Sequence, residues 1–370
     1  MFRATGIRAG KVGDVVSSIR YYTNEDMAKA ALVSRVSTML DHLKQGFLAY
    51  QEGEVILPEK SSQILDEDNQ SRVNCMPCTV PGIGISCVKL VSVFPDNVLK
   101  GLPNVSGMIL VLNSDDGSPV AILDAGFPTA LRTALVGALA AKHLAISQPR
   151  SIGVIGSGEE ALMHLFVFAK LYPSIEVCRV ASRNPANEER FASIVNDLFP
   201  DLLVTCCGSS YERAATDADI IVTAISGQAP LLKADWVKPG AFYCHVGGIE
   251  DEYGVALKAD KIVCDSWEAL KHRGSPTISH MYRDGVLSDG DIYAELAEIV
   301  AGRVPGRESE GEIVYFNSIG LAFADAYMAS FLICACEDLE LGQDLLGSSF
   351  TVFDLDKIAA WDEPSEENIR

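Results

Sequence analysis

The stretch from Ser151 to Arg183 constrains this 370-residue chain more than any other. A short apolar run, Ile152 to Ile155, leads into the turn Gly156-Ser157-Gly158. Apolar residues then recur at Leu162, Leu165, Phe166 and Ala169, the spacing of one helix face. A second strand-like run, Val177 to Ala181, closes a βαβ unit. The turn reads G-x-G-x-x-A, with Ala161 in the third small position. The first glycine admits the tight turn, the second lets a pyrophosphate approach the backbone, and the small third residue lets helix and strand pack closely. The free N–H groups at the helix start then face the phosphates. A plain glycine turn would account for the glycines, but not for the two strands and the helix around them. Gly156, Ser157, Gly158 and Glu159 therefore form the core of an expected dinucleotide site.

The second strand ends in Ala181-Ser182-Arg183-Asn184, and no acid lies between Val177 and Asn184 to accept from a ribose 2′-OH. Ser182, Arg183 and Asn184 suit a 2′-phosphate instead, because guanidinium grips phosphate with a bidentate fork. The alternative is a solvated surface arginine. On balance the residues favour NADP(H) over NAD(H).

The net charge is −20, from 30 Lys+Arg against 50 Asp+Glu, which argues against a nucleic-acid partner. No apolar run reaches membrane-spanning length, and Arg3, Arg8, Lys11 and Asp14 interrupt any signal-peptide core. A soluble cytoplasmic protein is expected. Cys75 and Cys78 form a CxxC with no second pair at zinc-ribbon spacing, so free thiols and no metal site are expected. Cys206, Cys264, Cys334 and Cys336 sit in apolar runs and read as small core residues.

Residues 1 to about 16 read as a loose arm, and Ser18 to Tyr22 as a first strand. Thr23-x-x-Asp26 resembles a capping box opening one long helix to about Gln51, with the apolar stripe Met27, Ala30, Val33, Val36, Leu40, Leu43 and Phe47. Val80 to Val93, Met108 to Leu112 and Val120 to Leu123 read as strands, the last two joined by the turn Asp115-Asp116-Gly117. Pro128 suits the first turn of an alanine-rich helix reaching about Ile146. After the βαβ unit, helices near 186–198 and 209–216 alternate with strands near 202–206, 219–224, 241–246, 261–265 and 312–316. Asn317 to Leu339 reads as a final apolar helix, and the last ten residues as a disordered tail. The fold class is α/β: a Rossmann doubly wound parallel sheet plus a discontinuous α+β substrate and dimerisation domain.

Three basic residues of the first part stand out: Lys60, Lys89 and Arg132. Lys89 is a lone cation in an apolar strand run. Burying an unpaired ammonium is costly, so such a lysine is often functional, though one at a strand edge can snorkel to water. Arg132 lies near a helix start, where its charge opposes the dipole; an anionic ligand or an interdomain ion pair would explain it. His245, in FYCHVGG, ends a strand where ligands gather, yet reads more simply as a packed core residue.

The stretches VKLVSVFPDN, GSPVAILDAGFPTALRTALVGALAAKHLA, GVIGSGEEA, the VGG at 246–248, PGRESEGEIVYF and NSIGLAFADAYMA resemble the ornithine cyclodeaminase/mu-crystallin family. The resemblance runs in order from about Tyr21 to Ala329. It implies a substrate-binding and dimerisation domain of residues 1–126 and 320–370, a Rossmann domain of residues 127–319, and a homodimer. It also implies hydride transfer by NAD(P) on small amino acids or their imines. By the family motifs, Lys89 is expected to contact the reacting substrate and shuttle a proton, and Arg132 to clamp its carboxylate. Thr133 is expected near the cofactor phosphates. Lys60 stands where many members have another carboxylate-binding arginine, and Met76 matches the Met-Pro of the family pocket. Ala224, Ser226, Val246 and Gly247 complete the expected cofactor-binding set.

Two departures weigh against cyclodeamination. Cyclodeaminases carry an aspartate directly after the Gly-Gly that is Gly247-Gly248 here, and this chain has Ile249, then Glu250 and Asp251. They also carry an acid where this chain has Asn74, a residue expected to line the substrate pocket. The FPDN…GLPNVSG and DSWEAL…ISHMYRDGVL stretches look closest to dehydrogenases that oxidise an N-substituted amino acid to release 2,3-diaminopropionate. A cyclodeaminase with internally recycled cofactor and a non-catalytic NADPH-binding protein like mu-crystallin remain the alternatives.

Overall fold

The computed structural model describes residues 19–225, 227 and 229–345. The expected N-terminal arm, the ten-residue tail and Ser226 lie outside the described residues. In chain order the first elements are β1 (Ile19–Tyr22), α1 (Asn24–Val33), α2 (Val36–Gln51), β2 (Ser61–Asp66), β3 (Ser71–Val80), β4 (Ile85–Val93), β5 (Val105–Asn113) and β6 (Pro119–Asp124). A long helix, α3 (Gly126–Leu144), leads into β7 (Ser151–Ile155), α4 (Glu159–Leu171), β8 (Val177–Ala181), α5 (Pro185–Leu198), β9 (Leu203–Cys206), α6 (Tyr211–Ala215) and β10 (Ile220–Thr223). Then come β11 (Phe242–His245), α7 (Tyr253–Lys258), β12 (Lys261–Cys264), α8 (Trp267–Lys271), α9 (Thr277–Arg283), β13 (Ala294–Glu295) and α10 (Leu296–Val300). The last of the described elements are β14 (Val314–Asn317), α11 (Ala322–Asp338) and β15 (Gln343–Leu345).

The strands form two sheets. One runs β15-β1-β6-β5-β4-β3-β2, and from β6 to β2 every pairing is antiparallel. One face of this sheet is packed, so its strands alternate: Ile85, Cys87, Lys89 and Val91 of β4 point inward. The other sheet runs β13-β12-β14-β11-β10-β7-β8-β9 with all strands parallel. Helices cover both of its faces, so β7, β10, β11, β12 and β14 are buried throughout and read as continuous apolar runs. The order β9-β8-β7-β10-β11-β14 is that of a doubly wound dinucleotide-binding fold, with its switch point between β7 and β10.

α3 and α11 tie the sheets together. α3 packs against β5 of the first sheet and against β11 and β14 of the second; α11 packs on β3, β4 and α3. Both are therefore buried nearly all round, which requires small or apolar residues on every face.

The structure corrects several expectations. The long first helix is two helices. The capping box at Thr23 and Asp26 forms, but Ser34 and Arg35 are extended, and the Ser34 hydroxyl donates to the Ala30 carbonyl at 3.0 Å. Val33 consequently leaves the apolar stripe and is 71% exposed. The strand expected from Val80 begins at Ile85, after a 3-10 turn at Pro81–Ile83; β2 and most of β3 went unforeseen. The last helix begins at Ala322, because Asn317 ends β14 and Gly320 turns the chain at φ +78°. Cys264 and Cys336 are buried as expected, whereas Cys206 and Cys334 are exposed. Cys75 and Cys78 lie three apart on β3 and so point to opposite sides of the strand.

Candidate active site

The site grows from a buried lysine. Lys89 lies on β4 in the interior of its sheet, directly across from Met76, and only 1% of it is exposed. Its ammonium lies 2.7 Å from Asp325 Oδ1 of α11, and Arg132 of α3 brings its Nε to 3.0 Å from the same oxygen. Three elements far apart in sequence thus deliver two cations to one carboxylate oxygen. The second oxygen, Oδ2, is buried and has no hydrogen-bond partner among the described residues. Burial pushes the Lys89 ammonium down to about 8; Arg132 adds to the push and Asp325 opposes it. Burial would raise the Asp325 carboxyl, but Lys89 and Arg132 outweigh it and hold it below the usual carboxylate range.

Backbone geometry positions the arginine. A Cβ on Gly320 would lie 2.6 Å from Arg132 Nη1, so only glycine lets the guanidinium lie against this turn. Asp265, at the end of β12, holds the turn by accepting from Ser318 Oγ, Ile319 N and Gly320 N. Among the described residues Arg132 hydrogen-bonds through its Nε alone, leaving both Nη groups for another acceptor. Of the other expected substrate residues, Asn74 and Met76 are buried on β3, on the face that carries Lys89, and Asn74 Oδ1 accepts from Ser62 Oγ at 2.8 Å. Lys60 is half-buried, and desolvation followed by the charges of Arg273, Lys89, Arg132 and Arg72 pushes its ammonium well below the ordinary lysine range.

The glycine turn stands at the start of α4. Gly156 has φ +119°, and a Cβ there would meet the Ala224 carbonyl oxygen at 2.2 Å. Gly158 has open space around its Cα, and no side chain caps the helix it opens. Ala161 is fully buried. Free N–H groups, an unobstructed glycine and a close-packed third position together fit a pyrophosphate. Ser157 is half-buried and Glu159 exposed.

At the tip of β8, Ser182 donates through its N–H and its hydroxyl to Glu188 Oε1, and Asn184 caps α5 by accepting from Ala186 N. Arg183 is exposed and makes no ion pair among the described residues. An acid does reach this strand end, from α5 rather than from the strand itself. Glu188 is buried, however, and its second oxygen accepts from Gly208 N, so it faces inward. Thr133 donates back to the Thr129 carbonyl at 2.7 Å. The N–H groups of Val246 and Gly247 both donate to Glu250 Oε2.

Sequence reasoning missed Asp325, although the signal that exposed Lys89 was present: a lone acid in the apolar run LAFADAYMASF. It also missed Glu160, one turn before His164 on α4. Burial pushes the Glu160 carboxyl up to about 7 despite Arg132 and Lys89, and its Oε2, 3.8 Å from His164 Nδ1, has no hydrogen-bond partner among the described residues. Burial pushes the His164 ring down to about 4, so it is neutral. His245 is a buried, stacked core residue, with Nε2 3.3 Å from Asp251 Oδ1. Glu250 and Asp251, which follow Ile249, are both buried; Glu250 also accepts from Thr223 and Ile225 N, and Asp251 from Tyr315. Neither replaces the aspartate that Ile249 displaces.

The chain as a whole is similar to several known proteins. A model of the ornithine cyclodeaminase/mu-crystallin family matches residues 24–335. N-((2S)-2-amino-2-carboxyethyl)-L-glutamate dehydrogenase of Staphylococcus aureus is 26% identical over 329 residues, 88% of this chain and 97% of that one. Delta(1)-pyrroline-2-carboxylate reductase of Thermococcus litoralis, solved with NADH and L-proline, superposes with a TM-score of 0.82 at 28% identity, covering 88% of this chain and all of that one. An archaeal alanine dehydrogenase dimer with bound NAD superposes with a TM-score of 0.80 at 27% identity, covering 89% and 99%.

Proposed function

This chain belongs to the ornithine cyclodeaminase/mu-crystallin family, and from that membership we infer an NAD(P)-dependent oxidoreductase. It acts at the C–N bond of a small α-amino acid, an N-substituted amino acid or its imine. The observation that carries the reading is the pairing of Lys89 and Arg132 on one oxygen of buried Asp325.

In this reading Arg132, with Lys60 near it, grips the substrate α-carboxylate through the two Nη groups left free, fixing the reacting carbon. The nicotinamide supplies or receives the hydride. Lys89 holds or moves a proton at the substrate nitrogen, and its lowered pKa lets it serve in both states near neutral pH. Asp325 positions both cations and keeps Lys89 from losing its charge altogether. Gly156, Ser157, Gly158 and Glu159, with Thr133, Ala224, Val246 and Gly247, would hold the dinucleotide. Residues 1–126 with 320–370 serve the substrate and the dimer, and residues 127–319 the cofactor.

Two finer features belong to the same proposal. NADP(H) is favoured, because Arg183 is the uncommitted charge at the tip of β8 and Glu188 is turned away from it. A homodimer is favoured, because Leu90, Met108 and Leu110 form an exposed apolar patch on the outer face of β4 and β5. Ten cysteines without a disulfide suit a reducing compartment such as the cytoplasm.

The test is nicotinamide absorbance in both directions. N-carboxyalkyl amino acids and amino acids are offered with NAD⁺ and NADP⁺; cyclic imines, and 2-oxo acids with amines, are offered with NADH and NADPH. Wild-type turnover is expected, with the phosphorylated cofactor preferred. Lys89→Met should abolish it while nucleotide affinity, read by fluorescence titration, persists. Wild-type-like turnover in Lys89→Met would refute the assigned role.

A further inference from the structure

Glu160 is an acid that the hydride chemistry leaves without a task. It is the second residue of α4, directly after the glycine turn. A third of its side chain is exposed, yet Oε2 is shut off from solvent and has no hydrogen-bond partner among the described residues. His164, one turn on, does not serve it. The Glu160 carbonyl can only accept, so the 2.7 Å contact puts the proton of the neutral ring on Nδ1, which donates to that carbonyl and not to the carboxyl oxygen 3.8 Å away.

Helix packing places this carboxyl between the glycine turn and the Lys89–Asp325–Arg132 triad. Arg132, near the start of α3, lies against Gly320, which follows the C-terminal end of β14. Ile146, past the end of α3, lies against Gly240, which precedes β11. α4 starts where β7 ends, so α3 and α4 leave the same edge of the parallel sheet and run side by side in one direction. Gly137 of α3 abuts His164 of α4, since a Cβ there would lie 3.5 Å from the ring. One turn nearer the start of each helix, Thr133 comes beside Glu160, with Arg132 as its neighbour.

Burial pushes the Glu160 carboxyl up to about 7; Arg132 and Lys89 oppose the rise, and Glu159 adds to it. The other elements packed closely on α4 bring it no further charge. β7 and β10 carry no ionisable side chain. On α5, Glu188 turns to the Ser182 and Gly208 amides, and Glu189, Arg190 and Asp197 are exposed. On α2, Asp41 is exposed, His42 packs on Tyr327, and Lys44 acts on His143 at the far end of α3. The helix start favours a negative charge and helps Glu160 to ionise. A pyrophosphate on the N–H groups of that turn competes for the same field and brings its own negative charge. An ionised carboxylate there repels it, whereas a protonated one carries a donor.

We propose that Glu160 is a cofactor-binding residue that works as a carboxylic acid: it takes one proton from solvent when the dinucleotide binds, and its hydroxyl donates to an oxygen of that dinucleotide. The proposal rests on the oxidoreductase reading and makes affinity for the cofactor fall as pH rises.

Without nucleotide, Glu160 gives up its proton as pH rises through about 7, and the nucleotide's charge raises that value further. Well below 7 both forms keep the proton and affinity is flat. Above 7 only the bound form keeps it, so affinity falls by up to about tenfold per pH unit. Calorimetric titration of NADH at pH 7.5, in buffers of different ionisation enthalpy, counts the protons taken up; NADH has no 2′-phosphate to titrate alongside. The wild type should take up more than about half a proton, of which Lys89, with its value of about 8, can supply at most about a quarter. In Glu160→Gln, which keeps the shape and a donor, uptake should fall to about that quarter or less. At pH 8.5 this variant should bind NADH about 10-fold more tightly than the wild type. A purely structural role would not turn loss of the carboxyl into a gain of affinity. Glu160→Ala, with no donor, should be equally insensitive to pH but bind NADH more weakly than Glu160→Gln. Equal uptake in wild type and Glu160→Gln, no gain at pH 8.5, or equal NADH affinity of the two variants would each overturn the proposal and leave the oxidoreductase reading standing. Failure of NADH and NADPH alike to bind would overturn that reading, and the proposal with it.

Discussion

Replacing Asp325 with asparagine keeps the shape of the side chain and removes its charge. Lys89 and Arg132, each less than a tenth exposed, would then face an amide across 2.7 and 3.0 Å. Removing one partner of a buried ion pair costs about 3–5 kcal/mol, because the other charge stays buried. Lys89 limits its own share of the loss, since it can escape by releasing its proton. With a folded pKa of about 8, that release near pH 7 costs only about 1.4 kcal/mol, and the rest falls on Arg132, which cannot discharge. The same escape leaves a pH signature. A lysine with a folded pKa below its unfolded value makes the native state hold fewer protons, so stability rises with pH from the folded pKa to the unfolded one. In the wild type that window opens at about 8. In Asp325→Asn the charge that raises Lys89 is gone, and the window opens lower. Between about pH 6.5 and 7.5 the variant should therefore gain on the wild type by up to about 1.4 kcal/mol per pH unit. Urea unfolding of both proteins across that interval measures the difference. A variant destabilised by less than about 1 kcal/mol, with no pH trend relative to wild type, would refute the shared carboxylate.

Two further outcomes follow from the site. In the oxidative direction kcat/KM should climb through about pH 8 as Lys89 becomes able to accept a proton, and a pH–rate profile without that limb would remove Lys89 as the base. Gly156→Ala should weaken nucleotide binding at least about 100-fold, because the backbone is at φ +119° and the new Cβ meets the Ala224 carbonyl at 2.2 Å; a fluorescence titration with NADH or NADPH reads it, and wild-type affinity would contradict the turn geometry.

The parallel half of the fold was legible because its signals are local. The run Ile152 to Ile155, the glycine turn and the helical spacing after it lie within one βαβ unit, and β7, β8, β10, β11 and β12 are short apolar runs, most of them separated by helices. The antiparallel half was less legible. β2 is exposed along its whole length and carries no apolar alternation, and β3 begins with the polar residues Ser71, Arg72 and Asn74. Such strands are set by their neighbours in the sheet rather than by their own pattern. Lys89 could be singled out because a cation in an apolar strand is anomalous by itself. Its partner could not be assigned, since pairing across 236 residues is a property of topology.

Topology also explains why the acid sits on α11. A lysine inside a sheet must meet its counter-charge from the layer that covers the sheet, and α11 packs directly on β3 and β4. The cover over Lys89 is thus the last long helix among the described residues, while Arg132 comes from the helix that joins the two sheets. Until α11 docks, both cations can remain hydrated at little cost. Once it docks, the buried apolar residues on the side of Asp325, Met328 and Leu332 among them, expel water, and Asp325 must already be in register with Lys89. A slip of one residue along α11 would turn Asp325 by about 100° and bury three unpaired charges. The ionic cluster therefore penalises every register but one, while the alanine-rich stretch around it packs with little selectivity of its own. The Lys89–Asp325–Arg132 triad thus fixes how the two halves of the chain are joined.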